Sequence, residues 1–121
     1  MRFICIGYIN ETNWENLPET EQQRILQEYF IFYEQLKKKN KFFGGIGLKS
    51  VKEGTKLTLT DTSIKEIELK SDVEQLGGFF FLEATDIEEA KSIISKHPGL
   101  RVGDFEIRMV DEEITSIVGA N

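Results

Sequence analysis

Gly77-Gly78-Phe79-Phe80-Phe81-Leu82-Glu83-Ala84 decides how this chain folds. Side chains along a strand alternate between the two faces of its sheet, so Phe79 and Phe81 project to one side and Phe80 and Leu82 to the other. Four large apolar groups in succession therefore require cover on both faces. Just downstream, Asp86-Ile87-Glu88-Glu89 is a capping-box pattern with Asp in the place of Ser or Thr, and Ile87, Ala90, Ile94 and His97 recur at helical spacing. That spacing predicts a helix over 86–97, stopped by Pro98-Gly99. Phe105-Glu106-Ile107-Arg108-Met109-Val110 then reads as the last strand, and the tail after Glu113 has no clear period.

Upstream, residues 2–9 are apolar, β-branched or aromatic almost throughout, and Asn10-Glu11-Thr12-Asn13 ends them, which predicts a buried first strand. Pro18 suits a first helical turn, Glu19 and Glu21 the positive end of the helix dipole, and Lys37, Lys38 and Lys39 its negative end. Ile25, Tyr29, Phe32 and Leu36 form the apolar stripe of this helix, and Leu26, Phe30 and Tyr33 widen it. Phe42-Phe43-Gly44-Gly45-Ile46-Gly47-Leu48 reads as a strand that its glycines bulge or bend. Residues 56–61 and 64–69, joined by Asp61-Thr62-Ser63, read as a hairpin or meander at the edge of the sheet.

Strand, helix, strands, strand, helix, strand is the order of a ferredoxin-like split βαβ sandwich of the α+β class, with the hairpin of residues 56–69 inserted. Residues 1–121 make one domain of that kind. Both helices of such a fold lie on one sheet face. Leaving the other bare would forfeit roughly 1.5–3 kcal/mol per large apolar side chain and create a sticky patch. A two-fold partner offering the same face resolves this, so a homodimer is expected. The alternative is that the hairpin or the tail folds back over the sheet.

Composition bounds the function. Acidic residues outnumber basic ones by 21 to 15, a formal charge of −6, which argues against nucleic acid as a partner. Lys37-Lys38-Lys39-Asn40-Lys41 lacks interleaved aromatics and reads as a solvated helix end. The one cysteine, Cys5, excludes an internal disulfide framework and fits a reducing, cytoplasmic setting. No apolar run approaches a membrane span, and residues 1–8 are too short for a signal-peptide core.

Leu76-Gly77-Gly78-Phe79-Phe80-Phe81-Leu82-Glu83-Ala84, Asp86-Ile87-Glu88-Glu89-Ala90 and Val102-Gly103-Asp104-Phe105-Glu106-Ile107-Arg108-Met109-Val110 together resemble the YCII-related domain family, in particular its DGPF branch. Tyr8, Trp14, the long helix and Gly45-Ile46-Gly47-Leu48 fall in the order that branch shows, so the resemblance spans nearly the whole chain. It implies a dimeric α/β barrel. The tetrapeptide naming the branch falls on Glu66-Ile67-Glu68-Leu69, where the Gly-Pro turn is lost. A His and Asp pair proposed for acid-base chemistry in some relatives aligns with Arg24 and Lys38, and that pair does not carry over.

Candidate site residues are few. His97, the only histidine, is the natural candidate for a catalytic base near neutral pH. The more ordinary reading is a cap or packing group at a helix C-terminus, where the dipole favours its charged form. Glu83 and Arg108 interrupt apolar strands, as an ion pair fixing the sheet or dimer or as a ligand anchor at the rim of a barrel pocket. Tyr8, Trp14, Tyr29 and Tyr33 are candidates to line an aromatic pocket for a small apolar or aromatic ligand, against the plainer reading that they are core. No metal is expected, since one His and one Cys at opposite ends of the chain supply no ligand spacing. No cofactor is expected either, because neither Gly44-Gly45 nor Gly77-Gly78 feeds a helix start as a phosphate loop does. The favoured function is a homodimeric small-molecule or partner-binding module. A cofactor-independent enzyme with isomerase- or monooxygenase-like acid/base chemistry is the alternative, and the resemblance adds a third reading, a regulatory accessory tied to alternative sigma factors.

Overall fold

The computed structural model describes residues 1–119. β1 (Arg2–Ile9) shows its alternation in its burial: Phe3 and Cys5 are fully enclosed, while Ile4 and Ile6 between and beyond them are half-buried. A short helix α1 (Glu11–Glu15) follows where sequence suggests only a polar break. It starts there because the Asn10 side chain accepts the Asn13 N–H at 3.0 Å, satisfying one of the donors a helix start leaves open. α2 (Glu19–Lys38) has the expected length, with acids in its first turn and lysines in its last. Of its wide apolar stripe, Ile25 and Leu36 are buried, whereas Leu26 and Phe30 stay exposed.

β2 (Phe42–Gly47) is bulged as its glycines predict. Gly44 sits at φ +96°, and the pairing with the neighbouring strand slips between Phe42 and Gly45. β3 (Lys56–Thr60) and β4 (Ser63–Ile67) pair across a tight turn in which Asp61 has φ +56°. They form a two-stranded sheet of their own, which corrects the expectation of a hairpin on the edge of the main sheet. β5 (Gln75–Glu83) is the strand that decides the fold, and it begins ahead of the glycine pair.

α3 (Ile87–Ile94) starts on the anticipated cap: Asp86 accepts the Glu89 N–H at 2.8 Å, while Glu89 reaches one residue past the cap to the Thr85 N–H at 2.9 Å. It ends at Ile94, short of His97, because the chain turns through Lys96 into a tight 3-10 turn at Pro98–Arg101. β6 (Phe105–Met109) follows. The tail then forms a further helix, α4 (Glu112–Val118), whose start is capped by Asp111 and whose end is marked by Gly119 at φ +73°. Arg2 holds this helix to β1 through the Glu112 carboxylate, at 2.9 and 3.1 Å.

The main sheet has the order β2-β5-β1-β6, with every neighbouring pair antiparallel. Phe3, Cys5, Phe80 and Leu82 on one face form the core with Leu36 of α2 and Ala90 and Ile94 of α3. Alternation sends Ile4, Ile6, Phe79 and Phe81 to the other face, where each is half-buried. The fold is thus mixed α+β, an antiparallel sheet with helices. Among the described residues, no helix is long and apolar enough to cross a membrane.

Candidate functional site

Between α2 and the sheet lies a cavity of about 780 Å³, within the ordinary range for small-molecule sites. Its position follows from the core. Near Leu36, helix and sheet close on one another, but farther along the wall Gly47 on β2 has open space where a side chain would stand, and the gap is not filled. Aromatic rings make much of its wall: Trp14 from α1, Tyr29 and Tyr33 from α2, Phe80 from β5 and Phe105 from β6.

His97 closes one end. It is 3% exposed, and the rings of Phe105, Phe32 and Tyr29 stand 4.2, 4.6 and 5.1 Å from its own. Such an enclosure strips water from the imidazolium, and desolvation pushes its pKa down to about 4. The side chain is therefore neutral at physiological pH, against the dipole argument made from sequence. Its capping role also differs from expectation: Nδ1 accepts the Gly99 N–H at 2.9 Å and so caps the start of the next turn, not the end of α3. Nε2 meets the Tyr33 hydroxyl at 2.8 Å. A side chain at 99 would press on its neighbours, since a Cβ there would come within 2.5 Å of Tyr29 Oη and 2.9 Å of the Phe105 ring.

Burial raises the pKa of the Tyr29 and Tyr33 phenols, so both remain protonated. It also pushes the Cys5 thiol up to about 12. Cys5 and His97, ninety-odd residues apart in the chain, border the same cavity. Among the described residues no cluster of three His, Cys, Asp or Glu side chains is placed to hold a metal ion. Of the charged groups at the cavity, Glu11 accepts the Val51 N–H at 2.8 Å and Lys37 makes an exposed pair with Glu34 at 3.4 Å, while Lys49 has no ion-pair partner among the described residues.

A model of the YCII-related domain matches residues 1–114. The protein belongs to the YCII-related domain family. No curated protein matches this chain. Among solved structures, this YCII-related protein is similar to 5-chloro-2-hydroxyhydroquinone dehydrochlorinase (TftG) from Burkholderia phenoliruptrix AC1100, in its complex with 2,5-dihydroxybenzoquinone. The two are 18% identical, the match covers 92% of this chain and 94% of that one, and the TM-score is 0.49.

Of the residues singled out from sequence, Tyr8, Trp14, Tyr29, Tyr33 and His97 all border the cavity. Tyr8 spends its hydroxyl on Glu106, donating at 2.8 Å, and that carboxylate raises its pKa. Glu83 and Arg108 lie outside the lining. β1 separates their strands, and Glu83 takes the amino group of Met1 at 2.7 Å, so the expected ion pair between them is replaced. Sequence reasoning passed over Gly99 and Phe105. The only local signal for Gly99 was His97-Pro98-Gly99, a polar residue ahead of a proline that opens a turn. Phe105 offered none, because nothing in a strand pattern says which helix faces it.

Proposed function

We propose that this YCII-related protein is a homodimeric module that binds a small apolar or aromatic molecule in the cavity between α2 and the sheet. The observation carrying this reading is a roomy space between helix and sheet walled largely by aromatic rings. His97 uses both ring nitrogens and is kept neutral by burial, so the imidazole at this cavity is not left as a free base. Binding needs no such base; acid/base turnover does.

The dimer rests on the second sheet face. Ile4, Ile6, Phe79 and Phe81 form a contiguous apolar surface there, and a two-fold copy of the same face is the simplest cover. The strand order, with α2 and α3 on one side, supports a ferredoxin-like split βαβ unit over residues 1–121 and hence an α/β barrel in the dimer. The motif order supports a place beside the DGPF branch, with Glu66-Ile67-Glu68-Leu69 standing where the tetrapeptide does.

Trp14, the only tryptophan, borders the cavity and reports on it. A panel of small apolar acids, phenols and lactones is titrated while Trp14 emission and thermal stability are followed. At least one class changes the emission and stabilises the fold, by about 2.7 kcal/mol at a hundred times its dissociation constant. The reading fails if none does and a crystal structure of the free protein shows the space packed solid.

A further inference from the structure

Resting on the reading of the cavity as a ligand site, we infer that Tyr33 is its specificity-determining hydrogen-bond donor, locked in that role by His97 and Gly99, so that the site selects aromatic molecules carrying an acceptor oxygen such as a carbonyl.

The argument is a proton inventory. A backbone N–H only donates, so the 2.9 Å contact from Gly99 leaves His97 Nδ1 without a proton. A neutral imidazole then carries its single proton on Nε2. At 2.8 Å that proton points to the Tyr33 oxygen, which accepts it. The reverse bond, from the Tyr33 hydroxyl to Nε2, would put the imidazole proton on Nδ1 against the Gly99 N–H. Protonating both nitrogens makes the same clash and adds a charge among five aromatic rings.

Tyr33 Oη thus has one acceptor position filled, and its own hydrogen is released. Tyr33 borders the cavity, and no other hydrogen bond among the described residues engages its hydroxyl. A phenol kept protonated by burial, with a second donor feeding its oxygen, is a strengthened donor and a poor base. A bound molecule that offers no acceptor leaves this donor unpaired in an apolar wall, which is how a polar site rejects an isostere. His97 is the positioning residue here, and Gly99 fixes its tautomer.

Two measurements test this. His97 is the only histidine, so its ring 15N shifts are assigned without ambiguity. At neutral pH the proton is expected on Nε2, and a proton on Nδ1 overturns the inference. The probes for binding are 4-methylacetophenone and its near-isostere p-cymene, titrated against the wild type and Tyr33→Phe. The ketone binds the wild type about tenfold or more tightly than the hydrocarbon, and Tyr33→Phe abolishes that preference while leaving p-cymene within a few fold. Equal binding of both probes to both proteins overturns the donor role but leaves the cavity reading standing. If neither probe changes Trp14 emission in the wild type, the inference is overturned, and the cavity reading is decided separately by the wider panel of acids, phenols and lactones.

Discussion

The Tyr33 hydroxyl lies 2.8 Å from His97 Nε2, although the two residues are 64 positions apart in the chain. One comes from the C-terminal half of α2, the other from the turn after α3, and their meeting joins both helical segments at the end of the cavity. Tyr33 also packs edge-on against Phe80 at 5.1 Å, so a shift of the helix against the sheet would break the polar contact and the ring contact together. The pair is as much a clasp on the fold as it is a site.

His97 makes stability depend on pH. Its pKa falls from an ordinary 6.5 to about 4 on folding, so between those values the unfolded chain binds more protons than the folded one. The stabilisation from a neutral His97 is complete above pH 6.5 and is lost as the pH falls toward 4, a change on the order of 3 kcal/mol. Urea titrations at pH 7 and pH 4.5 are expected to show a steeper loss in the wild type than in His97→Asn, which keeps an acceptor for the Gly99 amide. Parallel losses in the two proteins would remove His97 as the cause.

Gly99→Ala places a methyl group within 3.0 Å of His97 Nδ1 as well as against Tyr29 and Phe105. Overpacking of this kind costs about 1–3 kcal/mol. Calorimetry of the variant gives that loss, and its His97 15N spectrum shows the Nδ1 bond weakened. A variant as stable as the wild type would mean that the turn at Pro98 relaxes freely.

Ile4→Asp or Phe81→Asp introduces a charge on the second sheet face and leaves the buried core opposite untouched. Light scattering of the wild type should give about twice the 13.9 kDa chain mass at micromolar concentration. Either variant should shift toward the single-chain mass or precipitate. A wild type that remains monomeric at every concentration rules the dimer out.

Two contributions to stability differ in kind and are expected to differ in size. Asp86→Ala removes the cap of α3 and costs about 1 kcal/mol, because water replaces the lost acceptor at an exposed helix end. Leu82→Ala opens a cavity at a fully enclosed position and costs about 2–5 kcal/mol. Chemical denaturation of both variants separates the two, and a Leu82 loss no larger than the cap would place that side chain outside the cooperative core.

Much of the architecture was legible because it is written in local chemistry. The alternation through Phe79–Leu82, the cap at Asp86, the lysines closing α2 and the bulging glycines of β2 each act over a few residues, and each sits where it was expected. Local signals also account for what was overlooked in the tail, since Asp111 and Gly119 are an ordinary helix start and stop around α4. The aromatic residues of the site were named from sequence, but the charge state of His97 was not. A helix end predicts a cation there, and burial among rings from α2, β5 and β6 makes it neutral, because desolvation outweighs a partial charge at a helix terminus. Side-chain pattern along one segment determines which face is apolar. Which rings converge on one imidazole, whether Glu83 meets Arg108, and where a helix and a glycine-lined sheet leave room for a ligand depend on strand order, and only the tertiary structure decides that.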